Sequence, residues 1–202
     1  NQNLIISPPL NNTPEIIPMG YASKSITIKI NDTLKPNTTY SFNFGQSIAD
    51  NNEGNVLTDF KYIFSTGDYI DSLKIKGAIK ESYKFKKENF VNVMLYDAET
   101  FTDSTIYKQK PMYITNTLDS LTTFSIENIK EGSYYIIALK DKNNNFKFDP
   151  KTDKIGFINK AIQLPNDSLR DLILFKEDKK PNAGRPNMIT KNKFLVPFEG
   201  DY

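Results

Sequence analysis

Thr39-Tyr40-Ser41-Phe42-Asn43-Phe44 alternates polar and aromatic side chains one for one. That period of two is the pattern of a half-buried β-strand, because successive side chains leave opposite faces of the pleat. The same period runs through Ile26, Ile28 and Ile30 before it and through Phe60, Tyr62 and Phe64 after it. Polar clusters separate the runs, 31–37 with Pro36 and 46–55 with Gly54, and their composition and spacing suit the turns of an antiparallel sandwich. Ser65-Thr66-Gly67-Asp68 then breaks the pattern, and strands resume at Leu73, Ile75 and Ile79, which places a domain boundary near Gly67.

Alternation continues through Val91, Val93 and Leu95 and through Phe124 and Ile126. The run 133–139 is apolar on both faces and is expected as a central strand. Two further strands are expected at 155–158 and 172–175, and no stretch shows a convincing helical period with caps. From 179 to 192 the chain is rich in Pro, Asn, Gly and Lys and reads as a linker, after which 193–198 resumes a strand-like pattern. The expected architecture is all-β: two antiparallel β-sandwich domains, 1–67 and 68–178, with 179–202 as linker and the start of a further strand or region.

Composition narrows the function. A chain of 202 residues suits two small β domains better than one large core. The net charge is only +2, and the basic residues are Lys except at Arg170 and Arg185, which leaves little bidentate equipment for phosphates or base edges. Nucleic acid is therefore not an expected partner. There is no Cys and no His, so thiolate nucleophiles, the usual general base, the Ser-His-Asp arrangement and most catalytic zinc sites are missing, and no enzyme is expected. No apolar run approaches the roughly 18 residues of a membrane-spanning helix. The chain opens at Asn1 with neither Met nor signal peptide and reads as a processed or truncated fragment.

Three motifs fall in order over the first third: 34–40 (Leu-Lys-Pro-Asn-Thr-Thr-Tyr), 48–55 (Ile-Ala-Asp-Asn-Asn-Glu-Gly-Asn) and 62–67 (Tyr-Ile-Phe-Ser-Thr-Gly). Together they resemble the C-terminal half of an SbsA-type bacterial Ig-like domain. Such domains run to about 100 residues, so the resemblance implies that the first domain is N-terminally truncated. Downstream, 124–138 (Phe-Ser-Ile-Glu-Asn-Ile-Lys-Glu-Gly-Ser-Tyr-Tyr-Ile-Ile-Ala) resembles the core of carboxypeptidase-regulatory-like, transthyretin-like β-sandwiches, with Thr123 where Gly is common. The tandem is similar to Ig-like envelope lipoproteins of Bacteroidota. The resemblance implies an exported, outer-membrane-associated lipoprotein, periplasmic or on the cell surface, held to the membrane through a lipidated Cys upstream of this chain. It implies protein partners in the outer membrane or periplasm and a scaffold role, as an accessory subunit of an outer-membrane assembly or secretion complex.

One loop has a donor set with specific chemistry. Asp141, Asn143, Asn145, Asp149 and Asp153, with the Lys147 carbonyl between, supply hard oxygens at short spacing, as a calcium shell of six to eight oxygens requires. The opening Asp-x-Asn-x-Asn resembles an EF-hand, but Phe146 replaces the turn Gly and Thr152 stands at position twelve. A structural calcium ion joining two strands is expected. The competing reading is a long turn in which Asn and Asp bond their own backbone, and five nearby lysines weigh against a cation. Asp50 with 51–55 is a second acidic turn, and there a plain hairpin is expected.

Asp followed by Ser or Thr and then an aliphatic residue or Thr recurs five times, at 32, 71, 103, 119 and 167. Average composition gives about one such triplet. The pattern is similar to the O-glycosylation acceptor of exported Bacteroidota proteins, which implies sugars on Thr33, Ser72, Ser104, Ser120 and Ser168; Asp-Ser turns at strand entries are the plainer account. Two rivals to the scaffold are a carbohydrate-binding module, marked by a row of exposed aromatics beside the loop, and, ranked last, a hydrolase using paired carboxylates.

Overall fold

The computed structural model describes residues 4–18, 20–58, 60–81, 90–117, 122–165, 170–177 and 182–199. The first body is built from β1 (Ile5–Ser7), β2 (Glu15–Ile17), β3 (Thr27–Lys29), β4 (Thr39–Asn43) and β5 (Lys61–Ser65). β4 lies between β1 and β5, antiparallel to both, and β2 and β3 form a separate hairpin. The alternation that opens the sequence has its expected effect: Tyr40, Phe42 and Phe44 are buried at the centre of a small core that also takes Leu10, Ile28, Ile30 and Phe64. Phe64 stacks on Tyr40 and Phe42, with ring centroids 5.6 and 6.0 Å apart. Its strand mates go the other way. β5 is an edge strand, so Phe60 and Tyr62 stay 41% and 57% exposed despite their place in the same alternation.

The second body comprises β6 (Leu73–Glu81), β7 (Asn92–Asp97), the single helical turn α1 (Thr105–Lys108), β8 (Tyr113–Asn116), β9 (Thr123–Ile129), β10 (Gly132–Lys140), β11 (Lys154–Phe157), β12 (Ile162–Leu164) and β13 (Arg170–Leu174). One sheet runs β11-β10-β7-β8, with β12 also on β10, and the other runs β13-β6-β9. β10 is central, as its two apolar faces require. Tyr134, Ile136 and Ala138 fill the space between the sheets, while Ile137 and Leu139 join a second core on the outer face with Met94, Tyr96, Ile114, Phe148 and Ile155.

The pairing is not antiparallel throughout. β13 lies parallel to β6, with Gly77 opposite Arg170. Just past β13, Phe175 exchanges two backbone hydrogen bonds with Ile155, 2.8 and 2.9 Å long, so this segment ties the two sheets together at one side. The helical turn α1 was not expected either. Four residues are too short for any periodicity, and the turn forms where Gln109 N–H reaches Thr105 O at 2.9 Å.

Past 182 the chain makes a two-stranded ribbon, whose first arm lies in the stretch read as a linker and whose second arm includes the strand expected at 193–198. β14 (Asn182–Ala183) pairs with β17 (Phe198–Glu199), and β15 (Asn187–Thr190) pairs with β16 (Lys193–Leu195), both antiparallel. No element in the described residues is longer than nine residues, and no helix is long and apolar enough to cross a membrane.

Candidate functional site

The 141–153 loop leaves β10 and enters β11 directly across the last ladder pair, Lys140 opposite Lys154. Its closure is carried by two buried carboxylates, Asp141 at 7% and Asp153 at 0% exposure. Asp141 accepts the N–H of Asn143 at 2.9 Å on one oxygen and that of Phe146 at 2.7 Å on the other. Asp153 accepts the N–H of Lys142 (3.1 Å) and the Thr152 hydroxyl (2.9 Å) on Oδ1, and the N–H of Asp149 (2.9 Å) on Oδ2. Asn145 and Asp149 repeat the device locally, accepting from Lys147 and Lys151 N–H at 2.8 and 2.9 Å. These carboxylates serve donors that a tight loop otherwise leaves unpaired.

Backbone shape agrees with that role. Asn144 and Phe146 adopt φ of 53° and 58°, a left-handed conformation that is unusual for a bulky residue. Phe146 thus keeps the turn that an EF-hand gives to Gly, and burial offsets the strain: its ring packs on the outer-face core beside Phe148. Phe148 N–H also donates to Ile106 O of α1 at 2.9 Å. The loop is therefore a cover over the outer face of the five-stranded sheet. Nothing in the Asp/Asn spacing pointed to those two rings; the signal was the alternation Phe146-x-Phe148 inside a polar run.

Asn143 and Asn145 are exposed at the tip while Asp141 and Asp153 point into the loop's own N–H groups. Among the described residues no group of three or more His, Cys, Asp or Glu is placed to hold a metal ion. Asp50 uses the identical device. Its oxygens accept N–H from Asn52, Glu53, Gly54 and Asn55 at 2.7 to 3.2 Å, and the donor from Glu53 leads in holding its pKa below the usual carboxylate value.

The two bodies are clamped together. Thr39 Oγ1 donates to buried Asp71 Oδ2 at 2.8 Å and receives the Asp71 N–H at 2.9 Å, while Asn128 Nδ2 donates to Asp71 O. Ile114 N–H donates to Ser7 Oγ at 3.1 Å, and Lys110 Nζ donates to Leu10 O at 2.7 Å. Lys61 pairs with Glu127 at 2.7 Å. Chiefly through the hydrogen bond from Lys61, Glu127 is held below its ordinary 4.5. A depressed carboxylate stabilises the fold above its unfolded pKa, and that contribution is lost as pH falls through the lower folded value. Lys61→Ala is therefore expected to flatten the decline in unfolding midpoint below about pH 4.5. The effect is about 0.5 kcal/mol, because the pair is partly exposed and screened. Midpoints measured from pH 7 to 3 check this, and parallel curves for wild type and variant reject it.

Between the N-terminal segment and the loop tip lies a cavity of about 800 Å³. Ile6, Leu10, Ile16 and Phe44 form apolar walls, and Asn144 to Lys147 with Lys110 close the other side. Asp32 braces this wall by accepting the Asn12 N–H at 3.0 Å, and that bond leads in lowering its pKa.

The motifs of the first third interlock physically. The Thr66 hydroxyl donates to Lys35 O at 2.6 Å and accepts Thr38 N–H at 3.0 Å, while the Tyr40 hydroxyl accepts Lys35 N–H at 3.0 Å. Pattern and geometry agree with a known family. Residues 1–66 match the family model of the Bacterial Ig-like domain. The match spans about a third of the chain and starts at its first residue. No curated protein and no solved structure matches the chain. The similarity thus covers the first body, and the described residues as a whole form an essentially all-β module.

The triplet residues scatter over the surface. Thr33, Ser72 and Ser104 are exposed, while Ser120 and Ser168 lie outside the described residues. Two of the triplet aspartates have structural work: Asp32 holds Asn12, and Asp71 anchors the clamp between the Ig-like domain and the second body.

Proposed function

We propose that the protein is a protein-interaction scaffold of the bacterial cell envelope, an accessory subunit of an outer-membrane assembly or secretion complex held to the membrane through a lipid anchor upstream of this chain. The observation that carries the reading is the set of large apolar side chains left uncovered from 188 to 198: Met188 at 80%, Ile189 at 62%, Phe194 at 72%, Leu195 at 54% and Phe198 at 59% exposure. Contiguous exposed apolar surface of this kind marks an interaction site. The bacterial Ig-like match and the clamped pair of β bodies support a scaffold. A structural calcium ion at Asp141, Asn143, Asn145, Lys147, Asp149 and Asp153 is a separate proposal; the buried carboxylates keep acceptor capacity beyond their N–H donors. Sugars on the exposed Thr33, Ser72 and Ser104 are proposed likewise, together with Ser120 and Ser168.

The carbohydrate reading has one observation in its favour. Phe157 and Phe175 are exposed beside the end of the loop, with ring centroids 5.8 Å apart. Their planes meet at 64°, however, which gives an edge and a face rather than a flat platform for a sugar ring. Affinity capture of the full protein from native envelopes tests the scaffold. A stoichiometric protein partner is the expected result, and binding to a glycan panel with no such partner overturns it.

A further inference from the structure

The strands of the ribbon at 182–199 pair only with each other, as those of the β2–β3 hairpin do, and no other described element packs substantially against them. Ile28 of that hairpin packs on the first core, whereas no described residue of the ribbon joins a core. Pairing runs the length of the ribbon: Asn182 lies opposite Glu199 and Ala183 opposite Phe198, Gly184 N–H donates to Pro197 O at 2.7 Å, and Asn187, Met188 and Thr190 lie opposite Leu195, Phe194 and Lys193. Directly opposed residues share a face. Met188 and Phe194 thus stand together on one face, and Leu195, one residue on, stands on the other. Ile189 sits at the bulge between Met188 and Thr190. An isolated two-stranded hairpin is marginal in water, and here both faces are apolar while both long edges carry unpaired backbone groups.

Among occupants from outside this chain three compete, and charge decides among them. From 182 to 199 the ribbon carries three cations, Arg185, Lys191 and Lys193, against one carboxylate, Glu199. Insertion into a bilayer would lead with the turn, which holds Lys191, Asn192 and Lys193, and an ammonium group at bilayer depth is strongly disfavoured. A second copy whose ribbon entered the apolar cavity would meet like charge, since Lys110 and Lys147 line that cavity. An acidic protein with an open sheet edge satisfies all three features at once: main-chain pairing for the free edge, apolar cover for the faces, and carboxylates for the cations.

We propose that the ribbon 182–199 is the docking element of this protein and adds as strands to the uncovered sheet edge of a partner that flanks that edge with Asp or Glu. The proposal rests on the scaffold reading and names the chemistry of its partner. It is tested in the cells that make the protein, using the full chain with Phe194 replaced by photoreactive benzoylphenylalanine and, in parallel, the same probe at Tyr62 on the body. The expected result is an adduct from position 194 to one protein, mapped to an edge strand with acidic neighbours. With that protein purified, Lys191→Glu combined with Lys193→Glu is expected to weaken binding at least about tenfold and to flatten its salt dependence. Unfolding midpoints stay unchanged, because the substituted side chains are exposed.

An adduct mapped to a helix or a neutral surface overturns the proposal. So does flotation of the wild-type chain with phosphatidylglycerol–phosphatidylethanolamine vesicles that the double variant loses, a self-adduct from position 194, or full binding by the double variant. Adducts from Tyr62 alone would remove the ribbon and leave the scaffold standing. No protein adduct from either position, together with no stoichiometric partner on capture, would remove both.

Discussion

Gly77→Ala is expected to lower the unfolding midpoint by on the order of 10 °C, corresponding to about 3 kcal/mol. Gly77 lies in the middle of β6, between β9 and β13, opposite Phe124 on one side and Arg170 on the other. A Cβ there would stand 2.0 Å from Arg170 O and 2.4 Å from Phe124 Cζ, against an ordinary contact of 3.4 to 4 Å. The ring could turn aside, but the carbonyl belongs to the parallel ladder and can move only by opening it. β13 also carries Leu172 and Leu174, both fully buried between the sheets, and leads into the Phe175 bridge to Ile155. Displacing it therefore loosens core and closure together. Lys76→Ala, one residue away on the exposed face, is the control, expected within about 0.5 kcal/mol. Thermal unfolding by circular dichroism measures both, and a Gly77→Ala midpoint equal to the control's would show that β13 yields without cost.

That close approach was invisible in the sequence, whereas much of the rest was legible, and the difference has a physical cause. Val91, Val93 and Leu95 and the doubly apolar run around Ile136 announce buried strands because burial acts on each side chain alone. Edge position does not. Tyr62 lies opposite Phe42 on the same face yet stays exposed, because only the strand order tells which strand lies at the edge. Pro181 and Pro186 with Gly184 read as a linker, since composition reports turns and breaks but not that such a segment pairs with the strand-like stretch after it. In the loop the spacing located the residues that matter, Asp141 and Asp153, and their chemistry left the outcome open. Carboxylates at short spacing recruit a cation, backbone N–H groups or both, and the spacing alone does not tell these apart.

Asp153→Ala is expected to cost about 3 kcal/mol, because it strips the acceptor from the Lys142 and Asp149 N–H groups and from the Thr152 hydroxyl at the base of the loop, and each unpaired buried donor costs about 1 to 3 kcal/mol. The damage does not stay local. Phe146 and Phe148 hang from the same loop and cover the outer-face core over Met94, Tyr96 and Ile137, so loosening the base lifts that cover. Asp153→Asn keeps one acceptor oxygen and should lose about half as much. Measured with calcium and with chelator, these variants separate the two accounts of the loop. If the ion is bound, calcium raises the wild-type midpoint by mass action, and Asp153→Ala loses that response along with its stability. A loop closed by its own N–H donors gives the same loss from Asp153→Ala in either condition and an unchanged wild-type midpoint, which would remove calcium from this protein while leaving the carboxylate's role in closing the loop intact. An Asp153→Ala midpoint equal to wild type in both conditions would overturn that role as well, since a fully buried carboxylate with three donors cannot be removed from a tight turn without consequence unless the turn is held elsewhere.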